Sequence, residues 1–135
     1  MILASGQPQK GKSGTRATMV LLSVLASHAT GHSAFADEPL VETVTVQQVN
    51  NFWRFDVTLS HPDTGWDHYA DGWRILDMEG NELALRVLTH PHIEEQPFMR
   101  SLGRVQVPDG ITQVQVQARC LVDGWGHRTF VVTLP

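Results

Sequence analysis

Apolar and polar residues alternate with a period of two along most of the chain beyond residue 40. From Phe52 to Leu59, Trp53, Phe55, Val57 and Leu59 alternate with Arg54, Asp56 and Thr58. From Thr112 to Cys120, the run TQVQVQARC sets Val114, Val116, Ala118 and Cys120 against Gln113, Gln115, Gln117 and Arg119. Successive side chains of a strand point to opposite faces, so both runs are half-buried antiparallel strands. Val44 and Val46 alternate in the same way with Thr43, Thr45 and Gln47, and Asn50-Asn51 supplies the tight turn between the first two strands. Trp73 to Met78 and Leu83 to His90 flank Glu79-Gly80-Asn81, a hairpin signal because Gly and Asn tolerate positive φ. Phe98 to Val107, Thr112 to Leu121 and His127 to Leu134 complete the set, with Pro108-Asp109-Gly110 and Gly124-Trp125-Gly126 as turns.

Seven short strands with frequent turn signals, and no helical period beyond residue 36, predict an all-β fold. The expected architecture is an antiparallel sandwich of the immunoglobulin or fibronectin kind. Trp73, early in the third strand, takes the place where such folds bury an aromatic.

The first 36 residues read differently. Lys10, Lys12 and Arg16 form a positive leading region, Ala17 to Ala29 is mostly apolar, and Ala34-Phe35-Ala36 gives the small-x-small pattern of a signal-peptidase site. The expectation is a cleavable signal peptide over 1–36 and one domain over 37–135. The apolar run is interrupted by Ser23, Ser27 and His28 and is shorter than the roughly 20 residues a spanning helix needs. No membrane anchor is therefore expected, and the location implied is periplasmic or secreted.

Charge narrows the partners. Residues 37–135 contain seven arginines, no lysine and fourteen acidic residues, a formal net charge of −7 with histidine neutral. Nucleic acid is excluded as an expected partner, because phosphate binding needs a basic face. Cys120 is the sole cysteine, so no intramolecular disulfide supports the fold.

Candidate chemistry concentrates in loops. His61 to Trp73, HPDTGWDHYADGW, carries two His, three Asp, one Tyr and two Trp. Strands joined in succession by reversing connections alternate in direction, so the loops after the second, fourth and sixth strands cluster at one pole. All five histidines of the domain lie in or beside these loops. His90-Pro91-His92 is held extended at His90 by the following proline, so both imidazoles face the same way. With His61 and His68 they form a candidate site for Fe, Cu or Zn, metals that imidazole suits. Cys120 adds either a thiolate ligand or, from its parity with Val114 and Val116, a core side chain. Asp67, Asp71, Asp123 and His127 are candidates for alternative ligands or for groups that orient the ligands. Glu94-Glu95 offers a further carboxylate pair. Trp66, Tyr69 and Trp125 read either as lids over the loops or as a surface for a protein or ligand. Ser60 and Ser101 lack a nucleophile motif, and neither a phosphate loop nor a dinucleotide fingerprint occurs.

These loops resemble the iron-site pattern of superoxide reductases and desulfoferrodoxins, which are immunoglobulin-like domains. The family's HP-x-T-x-x-H segment is matched by His61-Pro62, Thr64 and His68, and its C-x-x-H-G segment by Cys120 and Gly124. The resemblance implies two imidazole ligands, an axial thiolate and one-electron reduction of superoxide. The chain departs from the pattern in one extra residue between His61 and His68, in Asp123 where the family has histidine, and in having no histidine of the domain before the second strand. The chain also resembles small exported bacterial domains of immunoglobulin-like type. Three functions stay open: a transition-metal protein, redox-active with iron or a carrier or structural site with copper or zinc; a non-catalytic binding or assembly module; and an accessory domain whose loops only stabilise each other.

Overall fold

A computed structural model describes residues 37–135, together with Gly11. The expected signal peptide lies outside the described residues, apart from Gly11. Eight strands run in order: β1 Leu40–Val49, β2 Phe52–Ser60, β3 Ala70–Leu76, β4 Glu82–Val87, β5 Phe98–Val105, β6 Gln113–Cys120, β7 Gly124–Trp125 and β8 Phe130–Thr133. No helix among the described residues is long and apolar enough to cross a membrane. The described residues are thus all-β, with every strand among them pairing antiparallel.

The strands form two sheets. One has the order β1-β2-β5; the other has β4-β3-β6-β7, with β8 also paired to β6. The alternation explains which faces meet. Phe55, Val57 and Leu59 of β2 are fully buried, as are Trp73 and Ile75 of β3 and Val114 and Val116 of β6. These residues belong to one core cluster that draws on both sheets. Each fully buried side chain of this size contributes roughly 1.5–3 kcal/mol relative to exposure, so this shared cluster is the main source of cohesion.

Seven strands were expected and eight are present. Gly124-Trp125, read as a turn, instead pairs with β6 as a two-residue strand, Cys120 opposite Gly124 and Arg119 opposite Trp125. Gly124 takes a φ of 78°, which lets the chain reverse within three residues of Cys120. The last strand is correspondingly shorter than His127 to Leu134. β3 starts at Ala70 rather than Trp73, because Ala70 pairs with Cys120 across the sheet although Ala-Asp-Gly has little strand propensity of its own. β4 stops at Val87 instead of His90, where the Leu88 N–H turns to the Asp71 carbonyl. In β5 the register against β2 slips between Trp53 and Phe55, where Arg104 adopts a φ of 57°. That is the geometry of a bulge.

Pairing also sets where the loops lie. Leu59 near the end of β2 pairs with Phe98 at the start of β5, Cys120 at the end of β6 pairs with Ala70, and Val87 at the end of β4 pairs with Gly72. The loops 61–69, 88–97 and 121–123 therefore share one pole. Backbone bonds tie them, with the Leu121 N–H donating to the Tyr69 carbonyl at 3.0 Å and the Leu88 N–H to that of Asp71 at 2.9 Å.

Candidate metal centre

The centre is built from the ends of β2 and β6 and from the loop between β2 and β3. His61 follows directly on β2 and is 3% exposed. Its backbone N–H donates to Gln96 Oε1 at 3.1 Å, and Gln96 Nε2 in turn donates to the His92 carbonyl at 2.8 Å. The 88–97 loop is thereby clasped to the end of β2. His68 is placed by a tight turn: the Thr64 N–H donates to the His68 carbonyl at 2.9 Å, and the His68 N–H to the Gly65 carbonyl at 3.1 Å. Cys120 closes β6 and is fully buried.

These three residues meet. A ring nitrogen of His61, a ring nitrogen of His68 and Sγ of Cys120 all lie within 4.8 Å of one another. The two imidazoles are edge to face, with centroids 4.9 Å apart. No other group of three or more such residues occurs among the described residues.

Asp63, which sequence reasoning passed over, organises the group. Its side chain is buried, and Oδ1 sits 2.5 Å from His61 Nδ1. A carboxylate can only accept, so Nδ1 carries the hydrogen of this contact, and Nε2 is the ring nitrogen left to act as a ligand. Nε2 is buried and has no hydrogen-bond partner. Asp63 is itself held by the Ala70 N–H on Oδ1 at 2.9 Å and by the His92 N–H on Oδ2 at 2.7 Å. A carboxylate on the far nitrogen of a ligand imidazole is the usual arrangement for fixing tautomer and orientation. The signal lay in the His-Pro-Asp run, where Pro62 presets φ for a three-residue turn, closed by the Asp63 N–H donating to the His61 carbonyl at 2.8 Å.

Burial, first of all, pushes the Cys120 thiol up, and the nearby Asp123 carboxylate adds to this; backbone N–H groups of Asp123 and Val122 pull the other way. Those two N–H groups are poised to stabilise a thiolate once a cation compensates its charge. Asp123 Oδ2 also lies 3.9 Å from His68 Nε2.

His90 and His92 lie outside the three-donor group. Their rings are adjacent, with centroids 4.5 Å apart, but His92 is engaged elsewhere. It stacks on Phe98 of β5 at 3.8 Å and accepts through Nε2 from Arg100 at 2.8 Å. The His92 pKa is driven down, first by burial and then by the charge of Arg100. Because arginine only donates, the proton sits on Nδ1, 3.9 Å from Asp63 Oδ2. The packing that β5 offers thus competes with the shared orientation expected from His-Pro-His. Glu95 pairs with Arg100 at 3.1 Å and Glu94 is exposed.

The remaining candidates are placed as follows. Asp67 is exposed. Asp71 accepts from Arg119 Nε at 2.9 Å rather than orienting His68. His127 is exposed and lines a hollow of about 180 Å³ with Glu38, Asp123 and Trp125. Trp125 is covered by arginines, with the guanidinium of Arg74 4.0 Å and that of Arg119 5.1 Å from its ring centre. Trp66 is 67% exposed and meets Tyr69 edge to face at 6.0 Å.

No protein-family model matches the chain. It is 41% identical over 78 residues to a protein of Halomicrobium mukohataei described as a "Putative lipoprotein", a match over 58% of this chain and 38% of that protein. The chain therefore spans well under half the length of this relative. Among solved structures, a hypothetical protein of Pyrococcus horikoshii OT3 is similar at a TM-score of 0.49 and 12% identity, covering 73% of this chain and 90% of that one.

Proposed function

We propose that this is an exported, cell-envelope β-domain that holds one transition-metal ion at its loop pole through His61, His68 and Cys120. One observation carries the proposal: His61 Nε2 is buried without a partner, beside a second imidazole and a buried thiol, while Asp63 fixes the ring in the ligand tautomer. A buried acceptor left unpaired costs about 1–3 kcal/mol, and a coordinated cation removes that cost. Two imidazoles and a thiolate suit zinc, copper or iron. When bound, the ion would hold the three loops together and, if iron or copper, supply a redox couple. His61 and His68 would bind it, Cys120 would lose its proton to solvent, and Asp63 would orient His61.

The β1-β2-β5 sheet and the β4-β3-β6 sheet with β8 support reading the domain as a fibronectin-like sandwich of the immunoglobulin class. Export is supported by the leader read in residues 1–36 and by the lipoprotein description of the Halomicrobium relative. Superoxide reductase chemistry rests on the resemblance in His61, His68 and Cys120. Trp66, exposed beside His68, favours a second reading in which the same pole docks a protein.

The test is thermal unfolding of the full chain with and without Zn(II) or Fe(II). A ligand of the native state raises Tm, and adds about 2.7 kcal/mol of stability at a hundredfold excess over Kd. The rise should vanish in His61→Ala and in Cys120→Ser. An equal rise in wild type and both variants would contradict the proposed site.

A further inference from the structure

The metal centre proposed above has three protein donors, and its open side is not empty of chemistry. His61 and Cys120 form its buried back, whereas His68 is partly exposed and Asp123 stands in front of it. Asp123 belongs to the three-residue reversal 121–123 that joins β6 to β7. Because Cys120 pairs with Gly124, this reversal is short, and Asp123 lies beside the sulfur. The carboxylate lies 3.9 Å from His68 Nε2, and its side chain is half exposed. It is a carboxylate beside both His68 and the Cys120 sulfur, whereas Asp63 is committed to His61, Ala70 and His92.

We infer that Asp123 is the fourth ligand, closing a set of two imidazole nitrogens, one thiolate and one carboxylate oxygen that takes zinc. This inference rests on the three-donor reading and adds the residue that decides what kind of centre it is. Charge supports it. A divalent ion bound by two neutral imidazoles and a thiolate leaves one uncompensated positive charge next to the core, and a carboxylate cancels it. Donor chemistry supports it too, because four mixed N, S and O ligands in a tetrahedron are the habit of zinc. Four protein ligands make a closed, structural centre; three leave a coordination position for substrate. Binding forms bonds from the metal to Nε2 of His61, to a His68 nitrogen, to Sγ and to a carboxylate oxygen, and releases the thiol proton to solvent. No oxidant or reductant is needed. Where the superoxide reductase pattern places an imidazole, this chain places a charge-neutralising acid.

The experiment uses the full 135-residue chain without a tag. Zn(II) affinity is measured by competition with a chromophoric chelator, and Co(II) is substituted to report the coordination sphere by visible absorption. Asp123 lies in an exposed turn, so Asp123→Asn and Asp123→Ala should fold, as circular dichroism would show. The inference predicts that both variants keep the thiolate-to-cobalt band but lose more than the roughly 10–100-fold in Zn(II) affinity that an outer-sphere partner would account for. Added azide should leave the wild-type cobalt spectrum unchanged and shift that of Asp123→Ala, where a position has opened. A loss within the outer-sphere range, or an azide response in wild type, would overturn the role of Asp123 while leaving the three-donor centre standing. Absence of the thiolate band in wild-type protein would overturn the three-donor centre itself.

Discussion

The Asp63 carboxylate lies 2.5 Å from His61 Nδ1, with both side chains sealed from solvent. This contact ties the chemistry of the loop pole to its stability. Asp63 also accepts two backbone N–H groups, from Ala70 and His92, and so joins the loops after β2 and β4. Asp63→Ala would leave three buried donors without an acceptor, each costing about 1–3 kcal/mol. The expected outcome is a loss of roughly 3 kcal/mol or more in urea unfolding. Asp63→Asn retains acceptor capacity through its carbonyl but not the charge, and should weaken metal binding by about 10–100-fold with a smaller loss of stability. Equal effects of the two variants on both readouts would show that Asp63 does not orient His61.

The core makes a sharper demand on shape than on polarity. Trp73 is fully buried, yet its indole N–H has no hydrogen-bond partner. Trp73→Ala should cost about 3–5 kcal/mol, the range for removing a buried aromatic. Trp73→Phe should cost clearly less, since no indole hydrogen bond is lost. Denaturant midpoints for the pair decide this, and equal losses would contradict the packing described.

This core was legible in the sequence because burial follows period two wherever a strand has one covered face. Phe55, Val57 and Leu59, like Val114, Val116, Ala118 and Cys120, lie inward as their parity requires. Strand ends were less legible, because pairing partners rather than propensity set them: Ala70 is a strand residue only by virtue of Cys120 opposite. The histidines show the same division. Strand direction alone brings the three loops to one pole. Which imidazoles share a centre depends on what competes for them, and the Phe98 ring and Arg100 guanidinium that engage His92 belong to β5, whose packing the His-Pro-His run itself does not encode. Asp63 went unread because a single acid in a polar loop carries no period.

At the opposite end of the sheets, Asp77 organises the β3–β4 hairpin. It accepts from the Asn81 side chain at 2.8 Å and from the Glu79 and Asn81 backbone N–H groups at 2.9 Å. The hydrogen bond from the Asn81 side chain, chief among these, holds its carboxyl below the ordinary aspartate value. A group with a depressed folded pKa stabilises the protein above its unfolded pKa, and that contribution is lost as pH falls through the folded value. Asp77→Ala should therefore be less stable than wild type at neutral pH, with the two converging below pH of about 4. A gap independent of pH would mean that the charge of Asp77 plays no part.

Gly126 has no room for a side chain. A Cβ there would come within 2.6 Å of Glu38 Oε1 and 2.9 Å of its Cγ. Glu38 Oε1 accepts from the Arg128 N–H at 2.7 Å, and the Glu38 side chain is buried beneath Arg128, so it cannot simply swing aside. Gly126→Ala should cost about 1–3 kcal/mol by overpacking. The double variant with Glu38→Ala should recover part of that loss, as a thermal melt would show.

The metal content of the full, untagged chain tests the central claim most directly. Elemental analysis after growth in medium containing iron, copper and zinc should find about one transition-metal ion per wild-type chain, and almost none in His61→Ala or Cys120→Ser. Wild-type protein free of stoichiometric metal, or variants that retain it, would contradict the centre at His61, His68 and Cys120.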